Sequence, residues 1–215
     1  LINHKGGLHN RPTARIRLEP FNLQEAELML KAKNTAIDRY QIVQIYMVTG
    51  GIPFYLSNFD GGLSAMQNIE NMCFTNDGPL RTEFNNLFPA LFSKAERHIA
   101  IVEAMAGKNK GLTREEIMEL TGLPNNGNTT KLLLELEESG FIRRYTPFER
   151  DKRESLYQLI DLYTLFYLKF IRNGQLPDDN NWINAMEGPM YRAWSGYAFE
   201  MVCLCHIAQI KQGLS

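Results

Sequence analysis

The order of elements predicted between residues 93 and 172 constrains the fold of this chain more than any other feature. An amphipathic helix opens after Ser93, with apolar residues along one face. Thr113 and Glu116 then form a Thr-x-x-Glu capping box, which predicts the start of a second, short helix. Residues 121–127 are rich in Gly, Pro and Asn, and this composition predicts a turn.

A third helix and a hairpin are predicted after this turn. Asn128 or Thr129 is expected to cap the helix, and Gly140 is expected to stop it. Segments 141–146 and 155–160 have the pattern of two strands, joined by a highly charged loop. The order helix, helix, turn, helix, hairpin is typical of a winged helix-turn-helix.

The rest of the chain predicts further helices. Before the winged unit they are expected near 23–33, 38–48, 63–74 and 80–92, with a break at Gly50-Gly51-Ile52-Pro53. Residues 1–20 end in alternating apolar and charged side chains, which predicts one strand of a sheet whose other strands lie outside this sequence. An aromatic stripe is predicted to face the core, formed by Tyr163, Phe166, Tyr167 and Phe170. The predicted fold class is mainly α with a small β-hairpin, ending in a truncated helical segment.

Composition limits the classes of function open to the chain. Of its 215 residues, 44% are hydrophobic, which excludes a wholly disordered protein. The formal net charge of −1 gives no global field to recruit nucleic acid or an acidic membrane, so any basic site must be local. Three cysteines without paired spacing predict a reducing, cytoplasmic compartment, and we expect neither a signal peptide nor a membrane span. The first residue is Leu1 rather than Met, which predicts a fragment or a processed piece of a longer protein.

Familiar catalytic motifs are missing from the sequence. It contains no Gly-x-x-x-x-Gly-Lys-Ser/Thr loop, no His-Glu-x-x-His pair and no nucleophile elbow, so the chain alone is not expected to be an enzyme. Cys203, Cys205 and His206 suggest a metal site at first sight. Two positions apart on a helix, however, the two thiols point about 200° apart. Buried structural thiols are therefore the favoured interpretation.

Charge concentrates the candidate nucleic-acid contacts in two places. The predicted wing, residues 141–155, holds five basic and three acidic side chains, whereas residues 128–139 hold one lysine and three glutamates. The start of the third helix and the hairpin are thus the best placed for bases or phosphates. The candidates are Asn128, Thr129, Thr130, Lys131, Arg143, Arg144, Arg150, Lys152 and Arg153.

The alternative is a protein–protein or interdomain module that never touches nucleic acid. Its wing would be a solvated charged loop. In that case residues 126–131 should lie buried against neighbouring helices, and their exposure decides between the two interpretations.

Four segments, in this order, resemble a known family. They are Arg-Leu-Glu-Pro-Phe (17–21), Ile-Tyr-Met-Val-Thr-Gly-Gly-Ile-Pro-Phe-Tyr-Leu (45–56), Tyr-Gln-Leu-Ile-Asp-Leu-Tyr-Thr-Leu-Phe-Tyr-Leu-Lys-Phe (157–170) and Trp-Ser-Gly-Tyr-Ala-Phe-Glu (194–200). Together with the winged helix they are similar to the C-terminal part of the archaeal-type AAA+ ATPases, a prokaryotic family also common in Bacteroidetes. The resemblance covers essentially the whole chain. It implies the last strand of an ATPase core over 1–20, a helical lid over 21–92, a winged helix-turn-helix over 93–172 and the start of a restriction-endonuclease-like domain over 173–215.

The resemblance also implies a function that depends on a P-loop domain absent from this sequence. ATP and Mg²⁺ would bind there, this chain alone would bind no cofactor, and ATP turnover would swing the lid and reposition the winged helix. Gly51 and Pro53 match the Gly-x-Pro motif of the lid, which packs against the nucleotide. Arg11 and Arg15 fall where such ATPases often place a phosphate-sensing arginine. Glu200 matches the first acidic residue of the nuclease-like domain, whose Mg²⁺-binding partners would follow residue 215.

The implied partners are the protein's own N-terminal ATPase domain and double-stranded DNA, without a membrane; the oligomeric state is left open. Plainer interpretations stand beside these. Arg11 and Arg15 would be solvated strand residues, and Glu200 would be a buried or capping carboxylate.

Overall fold

The computed structural model describes residues 18–33, 36–148, 155–172, 182–186 and 188–215. Within them the chain is mainly helical with a small antiparallel hairpin, as the sequence predicts. The helices before the hairpin are α1 (Leu23–Ala32), α2 (Arg39–Thr49), α3 (Pro53–Ser57), α4 (Ala65–Cys73), α5 (Glu83–Leu91), α6 (Ala95–Ala106), α7 (Arg114–Thr121) and α8 (Gly127–Glu138). Those after it are α9 (Leu162–Phe166), α10 (Trp182–Ala185), α11 (Pro189–Cys205) and α12 (Ile207–Leu214). The strand predicted over residues 1–20 lies outside the described residues, except for its last three positions.

Side-chain caps fix where several of these helices begin. Asn22 and Glu25 exchange both hydrogen bonds of a capping box at α1. The capping box predicted from Thr113 and Glu116 is confirmed at α7, again with both hydrogen bonds. Local side-chain hydrogen bonds therefore mark the start of these two helices.

The start of α8 differs from the prediction. Its N-cap is Asn126, so the prediction of Asn128 or Thr129 is wrong. The Asn126 side-chain oxygen accepts hydrogen bonds from the backbone N–H groups of those two residues, at 3.0 and 3.3 Å. In the Asn-Asn-Gly-Asn run, this earlier asparagine reaches two free N–H groups of the first turn at once. Gly140 follows the end of the helix with a φ of +80°, as expected of a C-terminal stop.

A backbone bridge holds the hairpin to the chain between α6 and α7. The strands β1 (Ile142–Tyr145) and β2 (Leu156–Leu159) pair antiparallel, as predicted. Leu112 and Tyr157 exchange two further backbone hydrogen bonds, of 2.9 and 2.8 Å. Gly111 permits this approach, because its φ is +84° and a Cβ atom there would lie 2.5 Å from the Tyr157 carbonyl oxygen. The hairpin is thereby fixed beside α7.

The helix after the hairpin, α9, connects the predicted unit of residues 93–172 to the predicted unit of residues 21–92. The Tyr163 hydroxyl donates to the Leu80 carbonyl at 2.8 Å and accepts from the Phe84 N–H at 2.9 Å. The Phe84 ring stacks on Tyr167, with ring centres 4.4 Å apart. All four side chains of the predicted aromatic stripe are buried, and residues 167–171 continue α9 as a π-helix. Segments 21–92 and 93–172 therefore share one hydrophobic core.

The C-terminal helices pack onto this core around two tryptophans. Trp182 stacks on Phe74 with ring centres 5.2 Å apart, and its backbone N–H donates to the Glu70 carboxylate at 2.7 Å. Trp194 meets Phe166 edge-on at 5.2 Å. The helix α11 then runs beside α2 and brings its last residues next to the start of α1.

Candidate nucleic-acid interface

The first turn of α8 faces solvent. Asn128, Thr130 and Lys131, which we call the α8 surface, are exposed, and so are residues 124–127. Thr129 differs, because it is 1% exposed and its hydroxyl donates to the Pro124 carbonyl at 2.6 Å. Three of the four predicted contacts on α8 are therefore open to a partner, while Thr129 holds the preceding turn.

The α8 surface is suited to an anion. The positive end of the helix dipole favours negative charge, although the Asn126 side chain already accepts the N–H groups of Asn128 and Thr129. The Lys131 ammonium lies 3.5 Å from the Glu135 carboxylate one turn later, and an exposed pair of this kind is weak. Lys131 could therefore leave Glu135 and pair with a phosphate at a low cost in free energy.

Sequence reasoning missed a cation beside this surface. The Arg114 Nε donates to the Asn125 side-chain oxygen, and one of its terminal nitrogens donates to the Asn126 carbonyl, both at 3.1 Å. The contact depends on the turn between α7 and α8, which brings together residues that lie 11 and 12 positions apart in the sequence. A pattern of neighbouring residues holds no signal for it.

The hairpin arginines have different surroundings. The Arg143 Nε donates to the Gln158 side-chain oxygen at 2.8 Å, and the guanidinium lies 4.9 Å from the centre of the Tyr145 ring. Gln158 is buried and donates in turn to the Asn109 carbonyl at 2.7 Å. Arg143 is thus tied into an internal network, whereas Arg144 is exposed. The wing candidates that lie outside the described residues are Arg150, Lys152 and Arg153.

Arg143 also lies at the far end of α8 from the α8 surface. It lines a cleft of about 620 Å³ together with Glu137 and Gly140, which mark the C-terminal end of that helix. A helix of 12 residues is about 18 Å long, so the structure separates Arg143 from the α8 surface.

The cleft itself is acidic. Burial raises the pKa of Asp161, although that carboxylate also accepts a hydrogen bond from the Thr164 N–H. The carboxylates that line the cleft are Glu19, Glu25, Glu137 and Asp161, against the guanidinium of Arg143. This excess of negative charge disfavours a phosphate there.

The Gly51–Pro53 turn lies beside the start of α1. Gly51 is buried with a φ of +74°, and its carbonyl accepts the Phe21 N–H at 2.9 Å. A Cβ atom at Gly51 would collide with the Phe21 carbonyl and lie 2.7 Å from the Tyr46 ring. Packing within the chain therefore accounts for this glycine without a ligand. Pro53 is exposed at the start of α3, and the next side chain, Phe54, is 60% exposed.

Cys203, Cys205 and His206 do not form a metal site. Both ring nitrogens of the buried His206 are used: one lies 2.7 Å from the Val202 carbonyl, and the other accepts the Leu23 N–H at 2.9 Å. Cys203 is half-buried and Cys205 is exposed, so the interpretation as buried structural thiols is wrong for Cys205. Nowhere in the described ranges do three or more His, Cys, Asp or Glu side chains gather to hold a metal ion.

Glu200 lies on the exposed side of α11, in the interior of that helix. The interpretation as a buried or capping carboxylate is therefore wrong. The structure does not test Arg11 and Arg15, which lie outside the described residues.

Comparison with models of protein families, with curated proteins and with solved structures found no match. No helix in the described part of the chain combines the length and the apolar character needed to cross a membrane. Evidence for function therefore comes from the geometry of this chain.

Proposed function

We propose that this chain is the regulatory and DNA-contacting part of an AAA+ ATPase, in which a winged helix moves with a helical lid. The observation that carries the proposal is the exposure of the α8 surface. Burial of residues 126–131 would have favoured an interdomain module. Apart from Thr129, these residues are exposed.

The surroundings of α8 support a winged helix. The order α6, α7, α8, β1, β2 is the one such a unit requires. The Leu112–Tyr157 bridge adds a short third pairing to the hairpin and holds it beside α7. Both α8 and the hairpin are thus supported by rigid elements, as a binding surface needs.

The turn at Pro53 supports the ATPase half of the proposal. Pro53 and Phe54 offer an exposed, rigid apolar surface, which is what a lid needs when it closes on a nucleotide held by another domain. The helix α2, which ends just before this turn, packs against α9, the helix that follows the hairpin. Binding and hydrolysis of ATP with Mg²⁺ in the ATPase domain would move this turn, and α9 would transmit the movement to the winged helix.

Duplex DNA tests the nucleic-acid half. We expect weak binding whose affinity falls as the salt concentration rises. Fluorescence anisotropy of a labelled duplex measures it. Asn128→Ala with Lys131→Ala should weaken binding about tenfold, and the slope of log K against log salt should become shallower by about 0.9 for the lost phosphate contact. Lys211→Ala removes the same charge from α12 and should change neither quantity. If the wild-type chain binds no duplex at low salt, this half of the proposal is refuted.

The ATPase half has its own test. The chain alone should show no binding of ATP by isothermal titration calorimetry, because it has no P-loop. The complete gene should encode a P-loop lysine upstream. Its absence from the full reading frame would refute the assignment to an ATPase.

A second candidate is the protein-interaction module. The exposed side of α8 also carries Leu134, which is 50% exposed, and three glutamates follow along the same helix. This apolar and acidic half is better suited to a protein than to DNA. Leu134→Ala separates the two functions, because it shortens the apolar side chain without adding charge. It should weaken docking to a protein partner in a pull-down with the ATPase domain, yet leave the DNA affinity unchanged within about twofold.

A further inference from the structure

Arg114 breaks a local rule of helix chemistry. It is the first residue of α7, where the positive end of the helix dipole disfavours a cation. Glu115 and Glu116 obey the same rule in the next two positions. An arginine at this position therefore brings no gain within its own helix, and its contribution must come from elsewhere.

The guanidinium spans from α7 to the two residues that precede α8. Its Nε donates to the Asn125 side chain and a terminal nitrogen donates to the Asn126 carbonyl, both at 3.1 Å. Asn126 is the cap whose side chain accepts the N–H groups of Asn128 and Thr129. One planar, permanently charged group thus holds both the cap and its neighbour.

The other hydrogen bonds of this turn are local. The Thr129 hydroxyl and the Asn126 N–H both donate to the Pro124 carbonyl, at 2.6 and 3.0 Å. These bonds shape the turn from within. The Arg114 side chain adds hydrogen bonds that tie the turn to the start of α7.

We propose that Arg114 is a positioning residue for the α8 surface, which rests on the proposed function of that surface. It acts through Asn126 and does not touch the nucleic acid. By holding the turn, it keeps Asn128, Thr130 and Lys131 in one arrangement before a duplex arrives, so that little ordering is left for the binding step.

Amide hydrogen exchange of the free chain tests the positioning without any DNA. In Arg114→Gln, we expect the N–H groups of Asn128 and Thr129 to exchange roughly tenfold faster, because their cap is held less firmly. Arg97→Ala removes an exposed arginine from α6 and should leave both amides unchanged. Unchanged exchange in Arg114→Gln overturns the proposal, whatever the DNA result.

Binding to a duplex then separates positioning from direct contact. Arg114→Gln should bind roughly tenfold more weakly with an unchanged salt slope, since ordering the turn costs the same at every salt concentration. Arg114→Lys keeps the charge but loses the planar fork, so it should not restore affinity. A slope shallower by about 0.9, with affinity restored by lysine, would make Arg114 a phosphate contact and overturn the proposal. If the wild type binds no duplex, the proposed function fails and the exchange experiment alone decides the role of Arg114.

Discussion

Two buried histidines have opposite hydrogen-bonding requirements. At His206, the Val202 carbonyl can only accept and the Leu23 N–H can only donate, so a proton on Nδ1 and a lone pair on Nε2 satisfy both contacts. At His98, the ring nitrogens face the Lys94 carbonyl at 3.1 Å and a Glu135 carboxylate oxygen at 3.0 Å. Both partners accept, so both contacts are satisfied only when the ring carries two protons. One residue type thus holds the start of α1 through one pattern of hydrogen bonds and joins α6 to α8 through another.

His206→Ala should destabilise the chain. The substitution leaves the Leu23 N–H and the Val202 carbonyl without their side-chain partner, and we expect a loss of about 1–3 kcal/mol in the free energy of unfolding. Urea denaturation followed by circular dichroism measures it. Gln209→Ala, an exposed substitution on α12, is the control. Equal stability of both variants would mean that water replaces the imidazole at the start of α1.

Tyr163→Phe should be costly for so small a change. The lost hydroxyl serves a buried carbonyl and a buried N–H group at once, and we expect about 2–3 kcal/mol less stability. Tyr40→Phe removes the same atom from a side chain that is 72% exposed, and should be neutral within about 0.5 kcal/mol. The same denaturation experiment compares them, and a neutral Tyr163→Phe would show that the hydroxyl is dispensable.

Among the elements, local signals located the helices and the hairpin but not what they touch. The capping box at Thr113 and Glu116 was readable because both partners lie within one turn. The predicted N-cap of α8 was wrong because several neighbouring asparagines could serve as the cap. Which of them caps the helix depends on which side chain reaches the free N–H groups. The burial of Thr129 and the contacts of Arg114 depend on the shape of the turn between α7 and α8, which periodicity does not encode.

Two of the left-handed glycines, Gly51 and Gly122, allow backbone strain to be separated from packing. Gly122 has a φ of +69° and open space where an alanine methyl group would lie, so Gly122→Ala should cost about 1 kcal/mol from the backbone alone. Gly51→Ala adds collisions with Phe21 and Tyr46, and should cost about 3 kcal/mol or more. Chemical denaturation of both variants checks the order. Equal losses would mean that the Gly51 turn relaxes freely and that close packing does not require this glycine.

Over the whole molecule, the sequence pattern predicted the fold class, mainly α with a small hairpin. Local charge indicated the start of α8 as a contact surface, but the same pattern grouped Arg143 with it, although Arg143 belongs to the network of Gln158 and the acidic cleft. Side chains from α1, α8, α9 and α12 meet in this cleft only after folding. A strand pattern alone does not tell which of two neighbouring arginines turns inward.

The shared aromatic core predicts one cooperative unfolding transition. Tyr163 and Tyr167 are packed against residues of the first helical unit, so melting of either segment removes partners from the other. Far-ultraviolet and near-ultraviolet circular dichroism should therefore give coincident denaturation curves. Two separated midpoints would show that segments 21–92 and 93–172 unfold independently.

The chain has two tryptophans, and both lie around the same Phe166 ring, 5.1 Å from Trp182 and 5.2 Å from Trp194. Its intrinsic fluorescence consequently originates from a single locality, where α9, α10 and α11 converge. The wavelength and quenching of tryptophan emission thus report, without a label, how closely α10 and α11 pack against α9. Both can be monitored in real time while a nucleotide or a duplex is added.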